Sequence, residues 1–243
     1  MTYGAITKLE KLDTTGSLTE RAHLSIKQYI LEGHLDVEAR LTEDFFARHL
    51  GISKSPVREA LNTLQGEGLV RIEPRRGAFL RKFTAKEIAD LYELREALEV
   101  FAAATVDITT ELVTELEASV ERTCRYLAEK DKVHYIDEDV RFHDLIVSGT
   151  RNEELRRVFD NIQNKLWLCR LQTYRLTSPD TPESHREVTR GLKERDRTRA
   201  QQVMSRHIRL VRDALLASME EQEAEKAAAA AAAADSTELI SAD

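Results

Sequence analysis

Asp139 and His143 stand four residues apart, and His185 and His207 follow farther along the chain, each interrupting an apolar helical stripe. At about 100° per residue, Asp139 and His143 fall beside Ile136, Val140 and Val147. His185 shares a stripe with Val188 and Leu192, and His207 lies beside Met204, Ile208 and Val211. A carboxylate or imidazole turned into a core must find a partner there. The i, i+4 spacing puts Asp139 and His143 on one face, where they can share a metal ion. Two readings therefore stay open: a hydrogen-bonded Asp–His pair with two separate core histidines, or four ligands on three helices. His23, His34, His49 and His134 show no such pattern and read as ordinary histidines.

A second chemistry lies nearer the N-terminus. Residues 50–61, LGISKSPVREAL, put polar and basic side chains at the start of a helix. In a helix-turn-helix that end of the recognition helix enters the major groove. Lys54 and Arg58 are placed to reach guanine edges or phosphates, and the Ser53 and Ser55 hydroxyls to reach phosphates. Arg75 and Arg76 fall at the tip of a hairpin that can enter the neighbouring groove. Taken singly, these residues favour a solvated basic face with capping serines; taken in this order they favour a DNA reader.

The elements that must position these groups follow from caps and periodicity. Ser17 and Glu20 have capping-box spacing, and the helix they open runs through Leu24, Ile26 and Ile30 to about Gly33. Thr42 caps a second helix that ends at Leu50 and Gly51. Ser55 is expected to cap a third, with Pro56 in its first helical position and Val57, Ala60, Leu61 and Leu64 inward. Residues 69–72 and 78–80, around a Pro/Gly turn, read as a hairpin. From Thr84 onward the period is helical. Thr84 and Glu87 form a second capping box, and Ile88, Leu91, Leu94, Leu98 and Phe101 recur every three or four residues. Further helices are expected near 112–127, 133–148, 153–174, 184–195 and 197–219, with a loop at 176–183. The fold class is mainly α: an N-terminal winged helix-turn-helix at 17–82, then an antiparallel all-α bundle at 83–220. Residues 1–16 are expected to be a loose arm and 221–243 a disordered tail, although its eight consecutive alanines favour some extension of the last helix before it frays.

Composition bounds the function. At 243 residues the chain has room for two modest domains, and no apolar run approaches the roughly 18 residues that span a bilayer. A basic-then-apolar leader is absent from the sequence and the two cysteines, Cys124 and Cys169, have no metal-ligand spacing, so a cytoplasmic protein with reduced thiols is expected. The net charge of −7 conceals a polarity: residues 47–82 carry eight Lys and Arg against three Glu, leaving −12 for the remainder. A basic head on an acidic body is suited to presenting one end to a phosphate backbone.

Residues 50–61, with Leu64, Glu67-Gly68-Leu69-Val70 and Arg76-Gly77, resemble the head of GntR-type bacterial transcription regulators. The resemblance implies that Arg40, Lys54, Ser55 and Arg58 occupy operator-contacting positions and Gly77 the wing tip. Lys54 stands where the family usually has arginine, so a backbone contact is expected there, because lysine lacks the bidentate fork. Residues 94–99 (LREALE), Asp139 with Phe142-His143, His185 and His207 resemble the ligand-binding FCD domain of FadR-type members, and the six-helix count is similar to the VanR-type variant. In metal-containing members one Asp and three His hold a divalent ion, often zinc or nickel, and Asp139, His143, His185 and His207 match those positions. Open coordination positions then suit a small carboxylate effector, with Arg95 as its bidentate partner; Arg95 can equally form a structural salt bridge with Glu99. What the resemblance implies is a homodimeric, ligand-responsive transcription regulator, a repressor on a palindromic operator. The alternatives are a metalloenzyme that activates water at the Asp/His cluster, or an architectural protein whose winged head is an interaction module.

Overall fold

A computed structural model describes residues 16–32, 35, 39–173 and 181–240. The expected arm, apart from Gly16, and His34 lie outside these residues, as does the expected loop as far as residue 180.

The head begins with α1 (Leu18–Leu31), whose first turn is closed by the Glu20 N–H donating to Ser17 Oγ. Ala22, Ile26, Tyr29 and Ile30 face inward, while Leu24 is exposed on the opposite side. A two-residue strand, β1 (Arg40–Leu41), precedes α2 (Glu43–Leu50) and α3 (Lys54–Gly66). Ser53, not Ser55, is the N-cap of α3, so Pro56 falls at the third helical position. The shift costs nothing, because the first four N–H groups of a helix lack partners and a proline is tolerated among them. Val57, Ala60, Leu61 and Leu64 pack inward as their spacing requires. The hairpin is β2 (Val70–Glu73) and β3 (Gly77–Leu80), and β1 joins it in the order β1-β3-β2. Both pairings are antiparallel, with Arg40 opposite Phe79 and Glu73 opposite Gly77. Two residues carry no period, which is why β1 was not legible beforehand.

Six helices follow: α4 (Ala85–Thr105), α5 (Thr110–Glu129), α6 (Lys132–Ser148), α7 (Glu153–Thr173), α8 (Thr181–Lys193) and α9 (Arg197–Ile240). Helix α4 packs against α6, α7 and α9, and α5 against α6 and α8. The Thr84–Glu87 capping box opens α4. Its other end is closed by Arg197, which donates to the carbonyls of Ala104 (2.7 Å) and Val106 (2.9 Å), oxygens that a helix terminus leaves without intrahelical partners.

Three expectations for the body need correction. On α4 the inward face is Ile88, Tyr92, Arg95, Glu99 and Ala102, whereas Leu94 and Phe101 are 40% and 48% exposed. Ile88 is buried and Leu91 and Leu98 pack against the core, so only Leu94 and Phe101 of that stripe turn outward, while the inner face also carries the polar cluster. Helix α8 starts at Thr181, three residues before the expected Ser184, because Pro182 begins a helix rather than extending a loop. The tail is helical to Ile240, giving α9 44 residues; alanine is the strongest helix former, and its run continues the helix instead of ending it. Among the described residues no helix is long and apolar enough to cross a membrane.

Candidate metal centre and nucleic-acid interface

Five of the six body helices send a polar side chain into one buried volume. Helix α6 brings Asp139 and His143, α8 brings His185, α9 brings His207, α4 brings Arg95 and Glu99, and α7 brings Arg170. All are at most 9% exposed. One ligand atom from each of Asp139, His143, His185 and His207 lies within 4.8 Å of the others. Asp139 Oδ1 is 3.4 Å from His185 Nε2 and 3.9 Å from His143 Nε2, while Oδ2 forms a 2.7 Å ion pair with Arg170 Nη1. Phe142 stacks on the His185 ring at 3.9 Å between centroids and fixes its plane.

Burial pushes the three imidazoles well below their usual pKa, His185 to about 3, so they stand neutral with lone pairs available. Burial also works to raise the Asp139 carboxyl, but its cationic neighbours, Arg170 foremost and then Arg95, outweigh it and hold the group far below the usual carboxylate range. His143 Nε2, both nitrogens of His185 and His207 Nε2 are buried without a hydrogen-bond partner. Orphaned buried nitrogens are costly in a packed interior. Three neutral imidazoles with unpaired nitrogens and one carboxylate, converging on one point, fit a divalent ion.

Arg95 fulfils the salt-bridge alternative and leaves room for the other. Its Nε donates to Glu99 Oε1 at 2.6 Å, with both side chains 1% exposed, and Glu99 Oε2 also lies against His143 Nδ1. Arg95 Nη1 and Nη2 have no hydrogen-bond partner, and the guanidinium lies over the Tyr92 ring at 5.5 Å. A buried guanidinium with two idle nitrogens is a seat for an anion. The remaining described histidines are ordinary: His23 meets Glu67 at 2.6 Å, His49 Nδ1 lies 2.7 Å from the Phe45 carbonyl, and His134 is 2.7 Å from Asp131. Cys169 is buried and its thiol is pushed up to about 12 by burial, an inert group.

The basic residues expected at the DNA interface are exposed. Ser53, Lys54, Ser55 and Arg58 are exposed on the first turns of α3, and the Ser53 hydroxyl makes no capping bond. Arg40 lies exposed on β1 beside the wing, where Gly77 adopts φ +104°, and a Cβ at Gly77 would sit 3.4 Å from Arg40 Nε. Arg75, with φ 63°, projects from the turn, whereas Arg76 is drawn back onto Glu73 and the Phe79 ring. Sequence reasoning missed Arg170 and the second contact of Glu99, which come from distant helices. The order of residues also did not show that Glu43 and Asp44, in the first turn of α2, bind Arg58 and Lys54.

Residues 18–80 match the family described as bacterial regulatory proteins, gntR family, and residues 90–210 match the FCD domain. The chain belongs to the GntR family. Among GntR relatives, the Nta operon transcriptional regulator of Aminobacter aminovorans is 31% identical over 75% of this chain and 87% of that protein. The gluconate operon transcriptional repressor of Bacillus licheniformis is also 31% identical, over 63% of this chain and 64% of that one. The crystal structure of a GntR transcriptional regulator from Rhodococcus sp. RHA1 shares the fold, with a TM-score of 0.75 at 23% identity over 82% of this chain and 97% of that chain. This GntR chain is thus a DNA-binding transcriptional regulator with a helical FCD domain, and the metalloenzyme and architectural alternatives fall away.

Proposed function

We propose that this GntR regulator is a homodimeric repressor whose grip on a palindromic operator is released by a small organic acid bound beside a divalent metal, zinc or nickel. Asp139, His143, His185 and His207 would hold the ion, and Arg95 would take a carboxylate of the effector on Nη1 and Nη2. When bound, the ion supplies an electrophilic anchor for the acid at coordination positions the protein does not fill. The head, residues 17–82, would contact DNA through Arg40, Ser53, Lys54, Ser55, Arg58, Arg75, Arg76 and Gly77; the body, residues 83–220, would sense the ligand and dimerise, in the cytoplasm. The observation that carries this reading is the buried cluster itself: four converging ligands without hydrogen-bond saturation, beside a guanidinium with two idle nitrogens. The gluconate operon relative is a transcriptional repressor, which supports repression. Leu94 and Phe101, exposed seven residues apart on α4, support an apolar seam between two copies.

The deciding experiment is elemental mass spectrometry of tag-free protein beside His143→Ala. About one metal per chain, lost in the variant, is the expected result. Absence of metal in protein never exposed to chelator would overturn the metal part of the reading. Release of bound DNA by small carboxylates, tested on the same two proteins, then reads the effector part.

A further inference from the structure

Both cations at the start of α3 are already engaged by the first two residues of α2. Arg58 Nε donates to Glu43 Oε1 and Arg58 Nη2 to Glu43 Oε2, each at 2.8 Å, and Lys54 Nζ is 2.7 Å from Asp44 Oδ1. The two pairs differ in kind. Lys54 and Asp44 are 55% and 65% exposed, a solvated contact of little consequence. Glu43 is only 30% exposed, and it meets Arg58 with two parallel bonds on one edge of the guanidinium. Its backbone is fixed, because Thr42 caps α2 by accepting from the Phe45 N–H.

A guanidinium has five N–H donors on two usable edges. Glu43 occupies the side edge, Nε with Nη2. The end edge, Nη1 with the second hydrogen of Nη2, stays free and points away from the carboxylate. That edge matches the O6 and N7 acceptors of guanine in the major groove. The negative charge of Glu43 also discourages a phosphate from approaching the same arginine. An unsupported Arg58 would instead sample many rotamers and settle readily on the backbone, which carries no sequence information.

We propose that Glu43 is a specificity-determining positioning residue, holding Arg58 by its side edge so that the end edge reads a guanine rather than binding a phosphate. This rests on the reading of Arg58 as a DNA contact. It predicts opposite signs for two affinities. Loss of the carboxylate frees Arg58 for phosphates and removes a repelling charge, so binding to arbitrary DNA tightens. Loss of the fixed geometry weakens binding to the preferred site.

The test uses the full-length protein and a duplex selected by the wild type from a randomised 30-base-pair pool. Affinities are measured for that duplex, for a shuffled duplex of equal composition, and for versions with 7-deazaguanine at single guanines, which lack the N7 acceptor. For Glu43→Gln the expected result is about tenfold weaker binding to the selected duplex and a few-fold tighter binding to the shuffled one. One 7-deazaguanine should cost the wild type about tenfold and leave Glu43→Gln and Arg58→Ala indifferent. Glu43→Asp separates charge from geometry: it keeps the repulsion but falls one methylene short, so selectivity should drop with no gain on the shuffled duplex. Equal tightening on both duplexes in Glu43→Gln would make Glu43 a mere electrostatic brake and overturn the proposal, as would no change on either. Failure of the wild type to select any sequence, or undiminished binding by Arg58→Ala, would overturn the underlying DNA-reading role of Arg58 and the proposal with it.

Discussion

Arg95 and Glu99 form an ion pair with almost no exposure, flanked by a neutral histidine. Such a pair adds little net stability, because desolvation offsets attraction, but breaking it strands one charge. Arg95→Met therefore leaves the Glu99 carboxylate buried beside His143 and is expected to cost about 3–5 kcal/mol. Urea unfolding measures it, and the double change Arg95→Met with Glu99→Gln should recover most of the loss. Recovery of stability with no recovery of a response to carboxylates would separate the structural pairing of Arg95 from its proposed effector contact. Full stability in the single variant would mean that Glu99 has another counter-charge. The i, i+4 spacing of the pair was visible in the sequence; the second contact of Glu99 to His143 was not, since it joins α4 to α6.

At the scale of elements, α4 is where a one-helix reading failed most instructively. Its leucines repeat with helical period, and the ordinary inference puts them in the core. The core face carries Tyr92, Arg95 and Glu99 beside Ile88, with Leu91 and Leu98 packed at its edge, and only Leu94 and Phe101 of the stripe look outward. Periodicity finds two stripes on such a helix but cannot say which one a neighbouring helix covers. If the outward stripe is the seam between copies, Leu94→Asp with Phe101→Asp should convert dimer to monomer in analytical ultracentrifugation, with helical circular dichroism unchanged. A dimer that survives both charges would move the seam to another face.

On the scale of the whole molecule, the buried histidines tie stability to pH. Their folded-state pKa values lie below the ordinary value of 6.5, His185 at about 3, so the unfolded chain binds more protons between those limits. Stability is then greatest above about pH 6.5 and falls as acid is added towards pH 3, by at most about 1.4 kcal/mol per pH unit for each histidine. Asp139, held low, adds a loss of the same sign that sets in only as pH falls below its ordinary 3.8. Urea midpoints at pH 7.5 and 5.5 should differ by more in the wild type than in His207→Asn; equal differences would show that His207 does not titrate on unfolding. Local signals had already determined much of this: caps at Ser17, Thr42 and Thr84, the inward face of α3, the hairpin, six body helices and an inward aim for Asp139, His143, His185 and His207. Each depends on neighbours within a turn or two, which the order of residues states directly. Only the tertiary structure decided that α6, α8 and α9 bring those four side chains to one place, that Arg170 and Glu99 hold two of them, and that Glu43 engages Arg58 across 15 residues. Those contacts depend on how helices cross, and crossing is set by packing between faces that the chain carries far apart.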